Sequence, residues 1–161
     1  MCGIAGIINL NQKKSAEIMQ VMLKQQAHRG PNAKGMWQDE MCILGHNRLS
    51  IIDLDASANQ PMHSHNDRYA MVFNGEIYNY QALKTELSDT IPRWKTSSDS
   101  EVLLEAFAKW GKACVHRLNG MFAFAVWDKQ EQEIFVARDR LGIKPLYYSL
   151  SNDNLIFASE V

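Results

Sequence analysis

The last third of the chain contains four short segments rich in apolar and β-branched residues, separated by polar turns. In the first segment Phe122, Phe124 and Val126 alternate with small residues, which is typical of a strand. The other three segments are Ile134 to Ala137, Leu146 to Leu150 and Leu155 to Ala158. Polar turns between neighbouring strands favour antiparallel pairing, so this region is expected to form an antiparallel sheet.

Helical patterns follow the strand patterns of the N-terminal half. Apolar residues recur at helical spacing in Ser15 to Gln26 and in Ile77 to Leu87. The sequence Ser98-Asp99-Ser100-Glu101 has the form of a capping box and precedes the helical stretch Val102 to Trp110. The earlier strand candidates are Ile4 to Ile8, Cys42 to Ile52 and Tyr69 to Phe73. Strand patterns dominate both ends of the chain and helical patterns occupy the middle, which predicts an α+β fold. We expect residues 1–161 to form one domain.

The composition is that of a globular domain, with 161 residues of which 46% are hydrophobic and 22% charged. No apolar run approaches the roughly 20 residues of a membrane span, and no signal peptide is evident, which predicts a soluble cytoplasmic protein without a membrane partner. The net charge of −1 is spread along the chain without a basic stripe. Nucleic acid is therefore not expected as a partner.

The three cysteines, Cys2, Cys42 and Cys114, are far apart and form no CxxC pair, so we expect free thiols. His63 and His65 form a His-x-His pair in a polar loop without a companion ligand, and we predict no metal site.

Cys2 differs from the other cysteines by position. Removal of Met1 would give one residue both a thiol nucleophile and an α-amino base with a pKa of about 7.7–8.0. The alternative is that Cys2 is a small apolar residue near the terminus.

Asn74-Gly75 follows a strand and allows two interpretations. An amide side chain next to an unencumbered backbone N–H can receive the oxyanion of acyl transfer. The same pair is typical of a tight hairpin turn, and we expect a sharp corner here.

Three charged residues could hold a free amino acid if the fold brings them together. Arg48 suits its carboxylate, and Glu76 and Asp99 suit its ammonium. Each also has a structural interpretation: a surface ion pair for Arg48, a helix start for Glu76 and a favourable helix-dipole contact for Asp99.

Colinear motifs extend over nearly the whole chain and resemble those of class II glutamine amidotransferases. The N-terminal motifs are Cys2-Gly3-Ile4-Ala5-Gly6, His28-Arg29-Gly30-Pro31, Leu44-Gly45-His46, Arg48-Leu49-Ser50-Ile51-Ile52-Asp53-Leu54 and Gln60-Pro61-Met62. Further motifs look like the asparagine synthetase branch in particular. They are Phe73-Asn74-Gly75-Glu76-Ile77-Tyr78-Asn79, Ser98-Asp99-Ser100-Glu101-Val102-Leu103-Leu104, Gly120-Met121-Phe122-Ala123-Phe124 and Ala137-Arg138-Asp139-Arg140-Leu141-Gly142-Ile143-Lys144-Pro145-Leu146-Tyr147-Tyr148.

The resemblance implies a four-layer αββα sandwich of two antiparallel sheets, the N-terminal-nucleophile hydrolase fold. It also implies roles for individual residues. By this resemblance Cys2 would be the nucleophile, and Asn74 and Gly75 would form the oxyanion hole. Arg48 would hold the glutamine carboxylate, Glu76 and Asp99 would hold its α-amino group, and Leu49, Ile51 and Ile52 would line the pocket.

The implied reaction is hydrolysis of L-glutamine to L-glutamate and ammonia through a Cys2 thioester. In the asparagine synthetase-like enzymes the segment that matches Phe157 to Val161 leads into an ATP-dependent synthetase domain, which accepts the ammonia. We therefore expect this chain to represent the glutaminase domain alone. It contains no phosphate-binding Gly-rich loop, and we expect no cofactor in this chain, with ATP and Mg only in the synthetase domain. The sequence leaves open which molecule accepts the ammonia and whether the chain forms a homodimer.

Two alternatives remain at this point. The first is an N-terminal-nucleophile amidase for acylated amino acids or β-lactams, against which the set of Arg48, Glu76 and Asp99 argues. The second is a domain that only binds glutamine or docks onto a synthetase.

Overall fold

The computed structural model describes residues 1–9, 12–91 and 93–161. Within these residues the chain forms nine strands and three α-helices. The strands are β1 (Gly3–Ile8), β2 (Ala33–Gln38), β3 (Cys42–Arg48), β4 (Met62–His63), β5 (Tyr69–Ile77), β6 (Gly120–Asp128), β7 (Glu133–Arg138), β8 (Tyr147–Ser151) and β9 (Asn154–Ala158). The helices are α1 (Gln12–Gln25), α2 (Tyr80–Leu87) and α3 (Asp99–Trp110), and 3₁₀ turns lie at Ala27–Arg29, Ala56–Ala58 and Gly111–His116. None of the helices in these ranges is long and apolar enough to cross a membrane.

The strands form two antiparallel sheets. In the first sheet the order is β2-β3-β1-β9-β8, and in the second it is β4-β5-β6-β7. The first strand, β1, therefore lies at the centre of the first sheet, where Ala5 pairs with Gly45 on one side and with Ala158 on the other. The prediction of an α+β fold with antiparallel sheets is confirmed.

Three apolar layers hold the elements together. Ile4, Leu44 and Phe157 of the first sheet pack against Val72 and Trp127 of the second, which forms the core between the sheets. On its other face the first sheet packs against α1, and the second sheet packs against α2 and α3. The result is the predicted αββα sandwich.

A glycine allows the close approach of α1 to the first sheet. A Cβ atom at Gly45 would lie 2.4 Å from Met19 Sδ and 3.0 Å from a methyl group of Leu23. Any larger residue would therefore push α1 away from the sheet.

The predicted corner at Asn74-Gly75 is wrong. Both residues lie inside β5, where Asn74 pairs with Ala123 and Gly75 pairs with Phe122. A Cβ atom at Gly75 would lie 2.4 Å from the Met121 carbonyl oxygen, so glycine is needed here for close approach of β6. Long-range pairing with β6 overrides the local turn preference.

The predicted cap of α3 is confirmed in one half. Ser98 precedes the helix, and its Oγ accepts from Glu101 N–H. The Glu101 carboxylate accepts instead from the N–H groups of Lys95 and Thr96, over 2.9 and 2.7 Å. It thereby fixes the chain just before the helix.

Two features of the first sheet differ from the expectation. Strand β2 was not predicted, because it is an edge strand with alternate residues exposed and contains Lys34 and Gly35. Strand β3 ends at Arg48, before the predicted end at Ile52. The residues from Leu49 to Ile52 form a loop.

Candidate active site

One cavity of about 130 Å³ lies where the start of β1, the loop after β3, the middle of β5 and the first turn of α3 meet. It is lined by every residue to which the sequence analysis gave a catalytic or binding role. These are Cys2, Arg48, Leu49, Ile51, Ile52, Asn74, Gly75, Glu76 and Asp99. The fold therefore brings together groups from distant parts of the sequence.

The Cys2 thiol lies half-buried at this cavity, against the backbone of Leu49. Leu49 N–H donates to Cys2 Sγ over 3.3 Å, and the thiol donates to the Leu49 carbonyl oxygen over 3.7 Å. Burial raises the pKa of the Cys2 thiol, although the Leu49 N–H, the N-terminal ammonium and Arg48 oppose the rise. The thiol is protonated at neutral pH, so attack on an amide requires a base close to Sγ.

Cys42 and Cys114 lie in the protein core, with 1% and 0% of their surface exposed. Burial raises the pKa of both thiols. Neither residue lines the cavity. Among the described residues, Cys2 is therefore the one cysteine placed to meet a ligand there.

Arg29 holds the main chain of Cys2. Its Nε donates to the Cys2 carbonyl oxygen over 3.0 Å, and its Nη1 donates to Glu160 Oε1 over 2.9 Å. His28 Nε2 contacts the same glutamate oxygen over 3.0 Å. These contacts fix the backbone of the residue that carries the thiol.

Asn74 brings an unsatisfied amide to the cavity. Its side chain is 1% exposed, and its Nδ2 has no hydrogen-bond partner among the described residues. A buried N–H group without an acceptor costs about 1–3 kcal/mol, which a ligand oxygen would offset. Asn74 is therefore poised to donate to a bound ligand.

The direction of the Gly75 N–H follows from the N–H groups of Phe73 and Ile77, which lie two residues before and after it in β5. Phe73 N–H donates to Gln60 and Ile77 N–H donates to Asp99, so both point away from β6. Because backbone directions alternate along a strand, Gly75 N–H also points away from β6. It can donate alongside the Asn74 amide.

Asp99 opens α3, and its Oδ2 accepts from Ile77 N–H over 2.9 Å. Burial raises the pKa of Asp99 from 3.8 to about 6, and nearby Glu76 adds to the rise, while backbone N–H groups oppose it. At neutral pH Asp99 is thus an ionised carboxylate that has lost much of its hydration. An ammonium group would stabilise it, and the exposed Glu76 lies at the same cavity.

Replacing Asp99 with asparagine is expected to stabilise the fold and weaken ligand binding. The unfolded pKa is 3.8, so this group lowers the free energy of unfolding as the pH rises from about 4 to about 6. Above pH 6 the ionised form costs at most about 3 kcal/mol, which Asp99→Asn removes. Urea unfolding at pH 7 measures the gain, with Asp89→Asn on the surface as the matched control.

The same carboxylate gives a pH dependence to binding. As the pH falls through about 6, Asp99 becomes neutral and its attraction for an ammonium disappears. The KM for a substrate that carries an ammonium group should rise over that range in the wild type and stay nearly flat in Asp99→Asn. An equal rise in both proteins would contradict this role.

Arg48 is buried at the end of β3 and holds the loop that follows. Its guanidinium donates to the carbonyl oxygens of Asp53 and Asp55 and to Asn59 Oδ1, the last two over 2.8 and 2.7 Å. A guanidinium has five N–H donors, so two remain for another acceptor such as a carboxylate. Arg48 combines a structural role with a free cationic edge.

The loop after Arg48 supplies the apolar side of the cavity. Ile51 and Ile52 are 74% and 40% exposed, and Leu49 is half-buried. Ser97 ties this loop to the segment before α3, because its N–H and hydroxyl donate to Asp53 Oδ2 over 2.8 and 2.9 Å. A ligand in the cavity would remove apolar surface of this loop from water.

Several other residues line the cavity, to which the sequence gave no catalytic or binding role: Met1, Asp53, Ala58, Gln60, Phe73, Ser98, Ser100, Met121 and Lys144. Most of them, including Gln60 and Lys144, lie within the quoted motifs. Only their place in these motifs could have indicated that they belong to the site, because the distances between them along the chain do not predict a shared cavity.

The His-x-His pair has contacts of its own. His65 Nε2 contacts Glu101 Oε1 over 2.9 Å, and His63 packs edge-on against Trp37. In the ranges that the structure describes, no group of three or more His, Cys, Asp or Glu side chains is arranged to hold a metal.

The model of the glutamine amidotransferase domain family matches residues 1–161. Asparagine synthetase [glutamine-hydrolyzing] 3 of Bacillus subtilis is 37% identical over all of this chain, which spans 27% of that protein. Amidase chry2 of Gibberella zeae is 37% identical over all of this chain, which spans 26% of that amidase. The chain thus spans about a quarter of the length of these relatives.

Solved structures share the fold. Glutamine phosphoribosylpyrophosphate amidotransferase from B. subtilis superposes with a TM-score of 0.81 at 24% identity, over 98% of this chain and 42% of that one. This likeness bears on the fold, and the family match rests on the sequence over its full length. The chain belongs to the glutamine amidotransferase domain family.

Proposed function

We propose that this domain hydrolyses L-glutamine to L-glutamate and ammonia, with Cys2 as the nucleophile. The observation that carries the proposal is the single cavity in which the Cys2 thiol, the unpaired amide of Asn74, the Arg48 guanidinium and the Asp99 carboxylate meet. These are the groups that acyl transfer from an amino-acid amide requires.

The reaction would proceed in two steps. Once Met1 is removed, the α-amino group of Cys2 takes the thiol proton and Sγ bonds to the amide carbon. The resulting oxyanion accepts from Asn74 Nδ2–H and Gly75 N–H, and the C–N bond then breaks as the α-ammonium returns the proton to the leaving ammonia. Water adds to the thioester in the second step, which releases glutamate and the thiol.

Recognition of glutamine would use both ends of the molecule. The two remaining N–H groups of Arg48 suit the α-carboxylate, and Asp99 with Glu76 suits the α-ammonium. Leu49, Ile51 and Ile52 would cover the methylene groups between them.

The ammonia would pass to a synthetase domain of the kind found in the longer relatives. Two apolar side chains next to the cavity residue Lys144 support a partner at this face, because Leu141 and Ile143 are 86% and 52% exposed. In this proposal ATP and Mg act in the synthetase domain, this chain has no cofactor of its own, and the protein works in the cytoplasm.

Glutamate release from L-glutamine by the tag-free chain tests the function, with the mass of the protein confirming that Met1 is absent. L-Asparagine and N-acylated amino acids serve as matched amides. Release from L-glutamine in clear preference to the others supports the proposal. Equal or greater turnover of an acylated amino acid would contradict it.

A second candidate is an amidase for another amide, which the likeness to amidase chry2 favours. The same thiol chemistry would operate, but the Arg48 and Asp99 charges would lack a zwitterionic substrate. The comparison of amides above separates the two candidates. Binding of glutamine without turnover by correctly processed protein would instead indicate a domain that only binds or docks.

A further inference from the structure

The backbone N–H and C=O of Phe73, directly before Asn74, lie on the side of β5 that faces away from β6, where no strand of the described residues pairs with them. Strand β6 pairs with β5 on one side. On the other side β4 pairs only with Ala70 and Met71 and ends there. The N–H and C=O of Phe73 therefore need partners other than a strand, since both are buried.

Two buried side chains supply these partners. Gln60 Oε1 accepts from Phe73 N–H over 2.6 Å, and His46 Nε2 donates to the Phe73 carbonyl oxygen over 3.1 Å. Because a carbonyl oxygen only accepts, His46 carries its proton on Nε2, and its Nδ1 is left without a partner among the described residues. We call His46 and Gln60 the Phe73 clamp.

The Phe73 clamp connects β5 to the first sheet and to α3. His46 lies on β3, where it pairs with Ile4 in the strand that begins next to Cys2. Gln60 Nε2 also donates to Ser100 Oγ over 3.4 Å, in the first turn of α3 beside Asp99. The backbone next to Asn74 is thus held in place relative to the first sheet, which contains β1, and relative to α3.

The backbone of Gln60 packs directly against Gly35. A Cβ atom at Gly35 would lie 1.9 Å from the Gln60 carbonyl oxygen. Gly35 also pairs with His46 across β2 and β3. The same glycine therefore contacts the backbone of Gln60 and lies opposite His46, so it fixes where both members of the clamp lie. This arrangement leaves little freedom for the Phe73 peptide.

We propose that His46 is a positioning residue of the reaction, which acts with Gln60 through the Phe73 peptide to aim the Asn74 amide at the oxyanion. This inference rests on the proposed glutamine hydrolysis. His46 does not line the cavity, so it would act through Asn74 and not on the substrate. An oxyanion donor acts in the transition state, so its misplacement should lower kcat and leave KM nearly unchanged.

The test compares His46→Met with His46→Gln. Methionine has no N–H donor, whereas glutamine can place an amide N–H where Nε2 lies. We expect His46→Met to lower kcat by about 10- to 100-fold with KM within about twofold, and His46→Gln to restore most of kcat. If His46→Met fails to fold, His46→Leu repeats the loss of the donor.

Two further measurements separate positioning from simple destabilisation. Val126→Ala removes core volume on β6 outside the clamp, and it should lower the melting temperature without changing kcat. Alkylation of Cys2 by iodoacetamide needs the thiol but no oxyanion hole, so its rate should be the same in the wild type and in His46→Met.

Three outcomes would overturn the proposal. The first is a lower melting temperature of His46→Met with kcat unchanged, and the second is a failure of His46→Gln to restore the rate. The third is slower alkylation in proportion to kcat, which would place the effect at the thiol. If the wild type itself releases no glutamate, the proposed function fails, and the positioning role falls with it.

Discussion

Cys2→Ala is expected to release glutamate at least about 10⁴-fold more slowly than the wild type, because the variant has no atom that can form the thioester. The cavity should keep its shape, since alanine removes only Sγ and its contacts with Leu49. Glutamine should therefore still raise the melting temperature of the variant. The measurement is coupled detection of glutamate, run beside the thermal shift.

The other two cysteines provide matched controls for this variant. Cys42→Ala and Cys114→Ala remove buried thiols that do not line the cavity, so kcat should stay near that of the wild type although stability falls. A wild-type chain that retains Met1 should be as inactive as Cys2→Ala, because its residue 2 has no α-amino group. Turnover in Cys2→Ala would rule out the thiol as nucleophile.

Asn74→Ala is expected to lower kcat by about 10² to 10³-fold, the usual effect of losing one oxyanion donor. KM for glutamine should change little, because the Asn74 amide bonds more strongly to the oxyanion of the transition state than to the carbonyl oxygen of bound glutamine. The fold should not lose stability through hydrogen bonding, since Asn74 Nδ2 has no partner among the described residues. Steady-state kinetics and urea unfolding measure the two effects separately.

Asn154→Ala is the matched control for Asn74→Ala, because Asn154 lies in β9, away from the cavity, with its Nδ2 bonded to Asn152. It should leave both kcat and KM unchanged. A large rise in KM with unchanged kcat in Asn74→Ala would instead assign Asn74 to the binding of the ground state.

Much of the fold follows from local patterns. The strands at Phe122 to Val126 and at Leu155 to Ala158 were predictable from their apolar residues. Alternate side chains of each strand point to opposite faces of its sheet, and each face packs against a different apolar core. The cap at Ser98 was predictable because it depends on four neighbouring residues. Local signals failed at Asn74-Gly75, where pairing with a strand nearly fifty residues away decides the conformation.

The site divides in the same way. Cys2 stands out by its position in the chain, and the roles of Arg48 and Asp99 were suggested by their charge within the motifs. The Phe73 clamp had no such signal, because His46 bonds to a backbone carbonyl oxygen, which every residue possesses. Only the ending of β4 shows that this carbonyl needs a side-chain partner.

The proposed hydrolysis depends on the formation of a glutamyl thioester on Cys2. The most direct test is to mix the Met1-free protein with L-glutamine, quench in acid during turnover, and determine the mass of the protein and of its N-terminal peptide. We expect a glutamyl adduct on Cys2 that disappears as glutamine is consumed and is absent from Cys2→Ala. Steady glutamate release without an adduct, or an adduct on Cys42 or Cys114, would contradict it.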